Sequence, residues 1–153
     1  MHRLISWDIL AMHLLTMKKE GSKEKDLAEL QKLKKKFGWQ VNLNFLLDSE
    51  PYDAIVVTDD QQKIVWVNEG FRGMTGYPRN FAVGKTPGFL QGPLTCPVIK
   101  QRIATGVSHK KMIREVIINY KKNRKLYHCQ VSIQAIENPV NSTIHFIALE
   151  KEI

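Results

Sequence analysis

Residues 112–153 constrain this chain more than any other stretch. "MIREVIINYKK" turns at Asn123 into "KLYHCQVSIQAI", and "ENPVNS" turns that run into "TIHFIALEKEI". Three long runs joined by turn-rich connections, with partial alternation of apolar and polar residues, predict consecutive antiparallel strands with one covered face. Upstream, the β-branched "AIVVTD" (residues 54–59) and "KIVWVN" (residues 63–68) are separated by "DQQ" and predict a hairpin. Between the two groups of strands the texture is helical. Asn68 is placed to cap "EGFRGMTGY", in which Phe71 and Met74 are spaced by three. Pro78 starts a short turn of helix through Val83. Pro97 opens a longer helix to about His109 that carries Val98, Ile99, Ile103 and Val107. Five strands with the helices gathered in the middle define an α+β domain. Helices covering one sheet face leave room for a pocket, and the loop "GKTPGFLQG" (residues 84–92) is expected to line it. Its glycines and proline bend it too often for a helix or strand, while Phe89 and Leu90 make its centre apolar.

The N-terminal region reads differently. Ile5, Ile9 and Met12 fall on one helical stripe flanked by Leu4 and Leu15. Gly21 is expected to break this helix, with Ser22 capping a second one in which Leu27, Leu30, Leu33 and Phe37 form the apolar face and lysines cover much of the rest. That helix should end near Gly38. It either packs on its own domain or forms a dimer seam. "NLNFLLDS" then predicts a short helix with Leu43, Leu46 and Leu47 inward. The chain is thus divided into a helical extension, residues 1–41, for dimerisation and signalling, and a domain, residues 42–153.

Composition limits the function. The formal net charge is +8, which permits attraction to anionic partners. No basic block interleaved with aromatics and no helix-turn-helix or zinc-finger pattern accompanies it, so nucleic acid is not an expected partner. No apolar run is long enough to span a bilayer, so no membrane association is expected. Asp8 and His13 interrupt the apolar start, which argues against a signal peptide. Cys96 and Cys129, the two cysteines, have no metal spacing and suit a reducing cytoplasm. No nucleophile–base pair, metal triad or phosphate loop emerges, so no enzyme activity is expected.

With these residues in view, 42–153 resembles a PAS domain, through "LLDS…PYDAIVVTD", "KIVWVNEGFRGMTGY" and "NYKKN…FIALEKE". "GFRGMTGYPRNFAVGKTPGFLQGPLTCP" followed by "INYKKN" resembles its light-oxygen-voltage (LOV) branch, whose members carry a Gly-Arg-Asn-Cys-Arg-Phe-Leu-Gln-Gly run. The resemblance implies a five-stranded antiparallel sheet with helices on one face, a bacterial-type sensory role and, in photochemical members, flavin mononucleotide with a light-formed cysteine adduct. Carried over by residue, most of the cofactor contacts fail. Pro87 stands at the reactive cysteine, Thr86 at the preceding Asn and Gly88 at a phosphate-binding Arg. Ala104 falls at or near a second Arg, with Lys100 and Arg102 close by. His128 stands at the sheet Asn and Glu150 at the signal-relaying Gln. Gln91 and Asn119 are retained.

Thr86, Pro87, Phe89, Leu90, Gln91, Asn119, His128 and Glu150 are therefore the candidate pocket residues. Glu150 and His128 either face the pocket as a carboxylate–imidazole pair that binds a polar ligand, or pair with each other, or leave Glu150 in solvent. Cys96 is expected at a helix start, out of reach of position 87. No cofactor is expected; flavin is the alternative, and haem ligation by His109 is not expected. No output domain is recognisable, so the expected function is a stand-alone sensory module. It would act through protein–protein contacts, as a homodimer and on a separate downstream signalling protein, with Ile117, Tyr127 and Ile133 as contributors on the outer sheet face. The alternative is a receptor for a non-covalently bound small ligand such as flavin.

Overall fold

The computed structural model describes residues 2–153, with side chains from Trp7 onward. The side chains of Leu4 and Ile5, part of the expected N-terminal stripe, lie outside the described residues. The elements run α1 (His2–Phe37), α2 (Leu43–Ser49), β1 (Ala54–Thr58), β2 (Ile64–Val67), α3 (Glu69–Thr75), α4 (Arg79–Ala82), a 3-10 turn (Pro87–Leu90), α5 (Pro97–Ser108), β3 (Ile113–Tyr120), β4 (Leu126–Glu137) and β5 (Ile144–Glu152). The five strands form one antiparallel sheet in the order β2-β1-β5-β4-β3.

The expected break at Gly21 does not occur: α1 is one helix of 36 residues. A Cβ at Gly21 would meet nothing, so no close contact demands glycine there. An exposed glycine costs a helix only about 1 kcal/mol against alanine, which good helix formers on either side offset. Ser22 accordingly sits inside the helix and not at a cap. Gly38 ends α1 in the left-handed region at φ +66°, and Asn138 Nδ2 donates to Phe37 O at 2.9 Å.

The sheet is covered on both faces, unequally. On one face Phe71 and Met74 of α3, Ala82 of α4 and Leu90 pack with Val56, Ile117 and Val131. On the other, Leu30 of α1 and Leu43, Leu46 and Leu47 of α2 pack with Ile55, Val57, Ile147 and Leu149. Residues 23–37 of α1 thus dock on their own domain. Trp39 extends this second layer, donating from Nε1 to His145 Nδ1 at 3.1 Å. The outer face of β3 and β4, with Val116, Leu126 and His128, stays exposed.

Strand parity corrects the expected outer-face placement of three residues. Ile117 and Tyr127 are buried on the inner face, and Ile133 lies over the same side, so none of the three contributes to an outer surface. Inner positions on β4 are Tyr127, Cys129, Val131 and Ile133, and a one-residue shift moves every side chain to the opposite face.

Asn68 does more than cap α3. Its Oδ1 accepts from Phe71 N at 3.1 Å and from Ile55 N at 2.8 Å, tying the helix start to β1. Its Nδ2 donates to Asp26 Oδ2 of α1 at 3.0 Å, and Tyr52 Oη donates to the same oxygen at 3.1 Å. Asp26 is only 4% exposed. Burial pushes its carboxyl above the usual range, against the pull of these two donors. This junction joins the N-terminal helix to the domain by direct side-chain hydrogen bonds.

Candidate functional site

The loop at 84–92 has a definite shape. Gly84 adopts φ +89°, a conformation that side chains oppose. A Cβ on Gly92 would come within 2.4 Å of the Tyr120 ring, so the loop lies tight against β3. Thr95 Oγ1 accepts from Gly92 N at 3.0 Å and donates to Ile118 O at 2.7 Å. Leu94 N donates to Tyr120 Oη at 3.0 Å. Held in this way, the 3-10 turn roofs part of the inner sheet face beside α5.

Under that roof is a cavity of about 500 Å³. Its sheet wall is apolar, built from Val56, Ile117, Val131, Ile133, Phe146 and Ala148. Leu90 and Pro87 of the loop and Ile103, Ala104 and Val107 of α5 close the opposite side. Helical spacing brings Lys100 to the same side of α5 as Ile103, Ala104 and Val107, and it is the only basic residue in the lining. Thr58, Gln61, Gln62, Thr86, Gln91, Asn119 and Glu150 supply the remaining polar groups. A second, larger and more open groove of about 1180 Å³ runs between α1 and α3; Asp26, the buried carboxyl in its wall, is already hydrogen bonded.

Six of the eight candidate residues line the cavity: Thr86, Pro87, Leu90, Gln91, Asn119 and Glu150. Phe89 does not. It turns away to meet Tyr77 and Phe81 edge to face, at centroid distances of 5.1 and 5.5 Å. His128 does not either. It is exposed on the opposite face, across from Ile118, so of the alternatives His128 and Glu150 form no pair, and Glu150, buried on the inner face, does not lie in solvent either. The inward neighbours on β4 are Tyr127 and Cys129. The alternation of apolar Tyr127, Cys129 and Val131 with polar His128, Gln130 and Ser132 carries this parity in the sequence. Lys100, Gln61, Gln62 and Thr58 were not foreseen as lining residues; for Lys100, its spacing from Ile103 and Val107 was the available signal.

Glu150 is the unusual group. It sits on β5 between Ala54 of β1 and Val131 of β4. It is 7% exposed, and its Oε2 has no hydrogen-bond partner. Burial pushes its carboxyl up to about 7. Tyr127 Oη is likewise buried and unpartnered; Asn119 approaches it without reaching hydrogen-bond geometry. Burial, with Glu150 nearby, pushes the Tyr127 hydroxyl and the Cys129 thiol upward, so both keep their protons near neutral pH. Cys96, the other free cysteine, is exposed at the start of α5, and neither cysteine is among the lining residues.

These features define a class: a five-stranded α+β domain whose sheet and helices enclose a small-molecule-sized cavity. The chain belongs to the PAS domain family, whose model matches residues 53–153. A blue-light photoreceptor of Listeria innocua is 29% identical over 103 residues, covering 65% of this chain and 40% of that protein. A blue-light-activated histidine kinase of Erythrobacter litoralis is 26% identical over 97 residues, covering 63% of this chain and 28% of the kinase. The chain thus spans less than half the length of these curated relatives. Among solved structures, the LOV domain of an Erythrobacter litoralis blue-light activated histidine kinase superposes with a TM-score of 0.62 at 25% identity, covering 68% of this chain and 97% of that one. The expected PAS fold and five-stranded sheet are thereby borne out. No helix among the described residues is long and apolar enough to cross a membrane.

The flavin that the LOV resemblance implies would find a mixed fit in this cavity. Its volume falls in the range of ligand pockets, about 300–1,000 Å³, and Gln91 and Asn119 line it. The charges fit poorly. Gly88 offers no cation where a phosphate would be clasped, Lys100 is alone, and a buried carboxyl with a free oxygen faces inward.

Proposed function

We propose that this PAS domain is a cytoplasmic sensory module that reads the occupancy of the cavity and passes the result to a downstream protein, without forming a flavin–cysteine adduct. One observation carries the reading: the cavity under the 84–92 loop is lined by Pro87 and by no cysteine. A thiol adduct needs a sulfur against the bound ring, and Cys96 and Cys129 are both outside the lining. The signal leaves through α1, which Asp26 and Asn68 couple to β1 and α3. Trp7, Leu10, Leu14 and Met17 recur at spacings of three and four on the exposed part of α1, the pattern of a helix–helix seam, and supply the contact with a second copy.

A second reading, non-covalent flavin binding, is favoured by the cavity volume and by Gln91 and Asn119. The absorption spectrum of purified protein, before and after incubation with flavin mononucleotide and removal of the excess, separates the two. The proposed module retains no flavin band. A retained band that blue light leaves intact or reduces supports the second reading. A retained band that blue light bleaches into a thiol adduct overturns both.

A further inference from the structure

The cavity's polar end specifies a ligand chemistry. Ten or so apolar side chains and a handful of amides would accept many planar molecules, but Glu150 would not treat them alike. An unpartnered carboxyl oxygen that is more than nine-tenths buried is a debt in desolvation that a protein ordinarily satisfies with its own donors. Here nothing does so. From β1, Ala54 and Val56 face Glu150 and carry no charge. From β4, Val131 stands opposite, with Cys129 and Tyr127 as the ionisable neighbours, both protonated; the Cys129 thiol lies near enough to draw the Glu150 carboxyl down against burial, but its hydrogen bond goes to Gln130 O and Oε2 keeps no partner. From β3, Glu115 shares the register row of Val131 and Glu150 and is engaged by Arg102 of α5 at 3.9 Å, while Asn119 lines the cavity further along; from the loop, Thr86 and Gln91 are neutral. From α5 the one cation in the lining is Lys100, which forms no ion pair among the described residues. On its own strand, Lys151 is directed to the other face, and Glu152 pairs with Lys121 at 2.9 Å.

We propose that the cavity recognises a planar ligand by an N–H donor edge, of the amidine or amino-N-heterocycle kind, with Glu150 as the accepting group and Asn119 as a further polar group of the same lining. The inference rests on reading the cavity as a ligand site. An ionised carboxylate is acceptor-only and takes two parallel N–H donors well. A ligand edge of carbonyls or ethers instead brings lone pairs against lone pairs. It is tolerated only while Glu150 keeps its proton. The apolar walls, Leu90 and Ile103 on one side and Ile117, Val131 and Ala148 on the other, favour a flat ring between them.

Benzamidine is a suitable probe because it is flat, permanently cationic near neutral pH and presents two N–H donors in one plane. Methyl benzoate is its donor-free counterpart. Titrated by amide-resolved NMR into the intact chain, benzamidine should shift amides around 117–120 and 148–152 and bind at least about tenfold more tightly than methyl benzoate, as a charge-assisted hydrogen bond requires. Its affinity should rise as the pH is raised from about 6 to about 8, since Glu150 must release a proton to accept it. Glu150→Gln should weaken benzamidine about tenfold and should not weaken methyl benzoate. Lys100→Gln, which removes the other charge in the lining, should not weaken benzamidine. Equal affinity for the two probes, an unaffected Glu150→Gln protein, shifts confined to the groove beside α1, or no binding of either probe would each overturn the inference. The sensory reading fails by a different sign, the light-formed thiol adduct, so the two failures are distinguishable.

Discussion

Asp26 and Glu150 are the two carboxyl side chains buried in the described part of this molecule, and their surroundings differ in one respect. Asp26 Oδ2 receives a donor from Asn68 and another from Tyr52, and through them joins α1 to α3 and the segment before β1. Glu150 is buried as deeply, faces a cavity, and leaves Oε2 without a partner. Burial raises both carboxyls above the ordinary range. What separates them is hydrogen bonding. A satisfied buried group specifies how elements dock, whereas an unsatisfied one on a cavity wall is available to something that enters.

Removing each carboxyl should therefore have opposite consequences. Asp26→Ala strands the Asn68 amide and the Tyr52 hydroxyl in the interior and should destabilise the protein by about 3 kcal/mol, read as a lower urea midpoint. An unchanged midpoint would erase the distinction. Glu150→Gln should stabilise the protein, by about 2 kcal/mol near pH 8 and by almost nothing near pH 4. The sign follows from the raised native value. The wild-type advantage of a protonated Glu150 is complete below its ordinary value near 4.5 and is lost as pH rises through about 7. A pH-independent effect of the substitution would refute this account of the group.

His145 sharpens the comparison with the smallest effect. It is buried on the other face and accepts from Trp39 Nε1, so it is a satisfied group like Asp26, though one held neutral. Burial lowers its native value. Its contribution is present above the ordinary histidine value and is lost as pH falls through the lowered one. In a Glu150→Gln background, where the opposing titration of Glu150 is absent, stability should drop modestly on acidification through and below the ordinary histidine range. His145→Leu should flatten that slope even though it costs some stability of its own.

The fold was legible in the sequence where one local signal sufficed. The strand runs, the Asn68 cap, the inward leucines of α2 and the Pro97 helix start all stand where residue type and spacing put them. At Gly21 local propensity points to a break, and the long run of helix formers on either side overrides it. For His128 the family pattern and the strand's own alternation disagree, and the apolar residues at 127, 129 and 131 give the parity the sheet adopts. Phe89 was mistaken because a loop's side chains have no periodicity, and only the positions of Tyr77 and Phe81 show where it turns. The lone oxygen of Glu150 could not be read from sequence at all, since an unmade hydrogen bond depends on what every neighbouring strand fails to supply.

The junction at Asp26 also has a mechanical consequence. A helix rises about 1.5 Å per residue, so the stretch from Asp26 back to Trp7 is an arm of roughly 28 Å. Its short end is clamped against the domain and its long end is solvent-exposed along its length. A tilt of about 5° at the clamp, well within what a change in side-chain packing produces, sweeps the far end through about 2–3 Å by the geometry of that arm. A displacement too small to notice beside the sheet becomes, at Trp7 and Leu10, as large as half a helical turn.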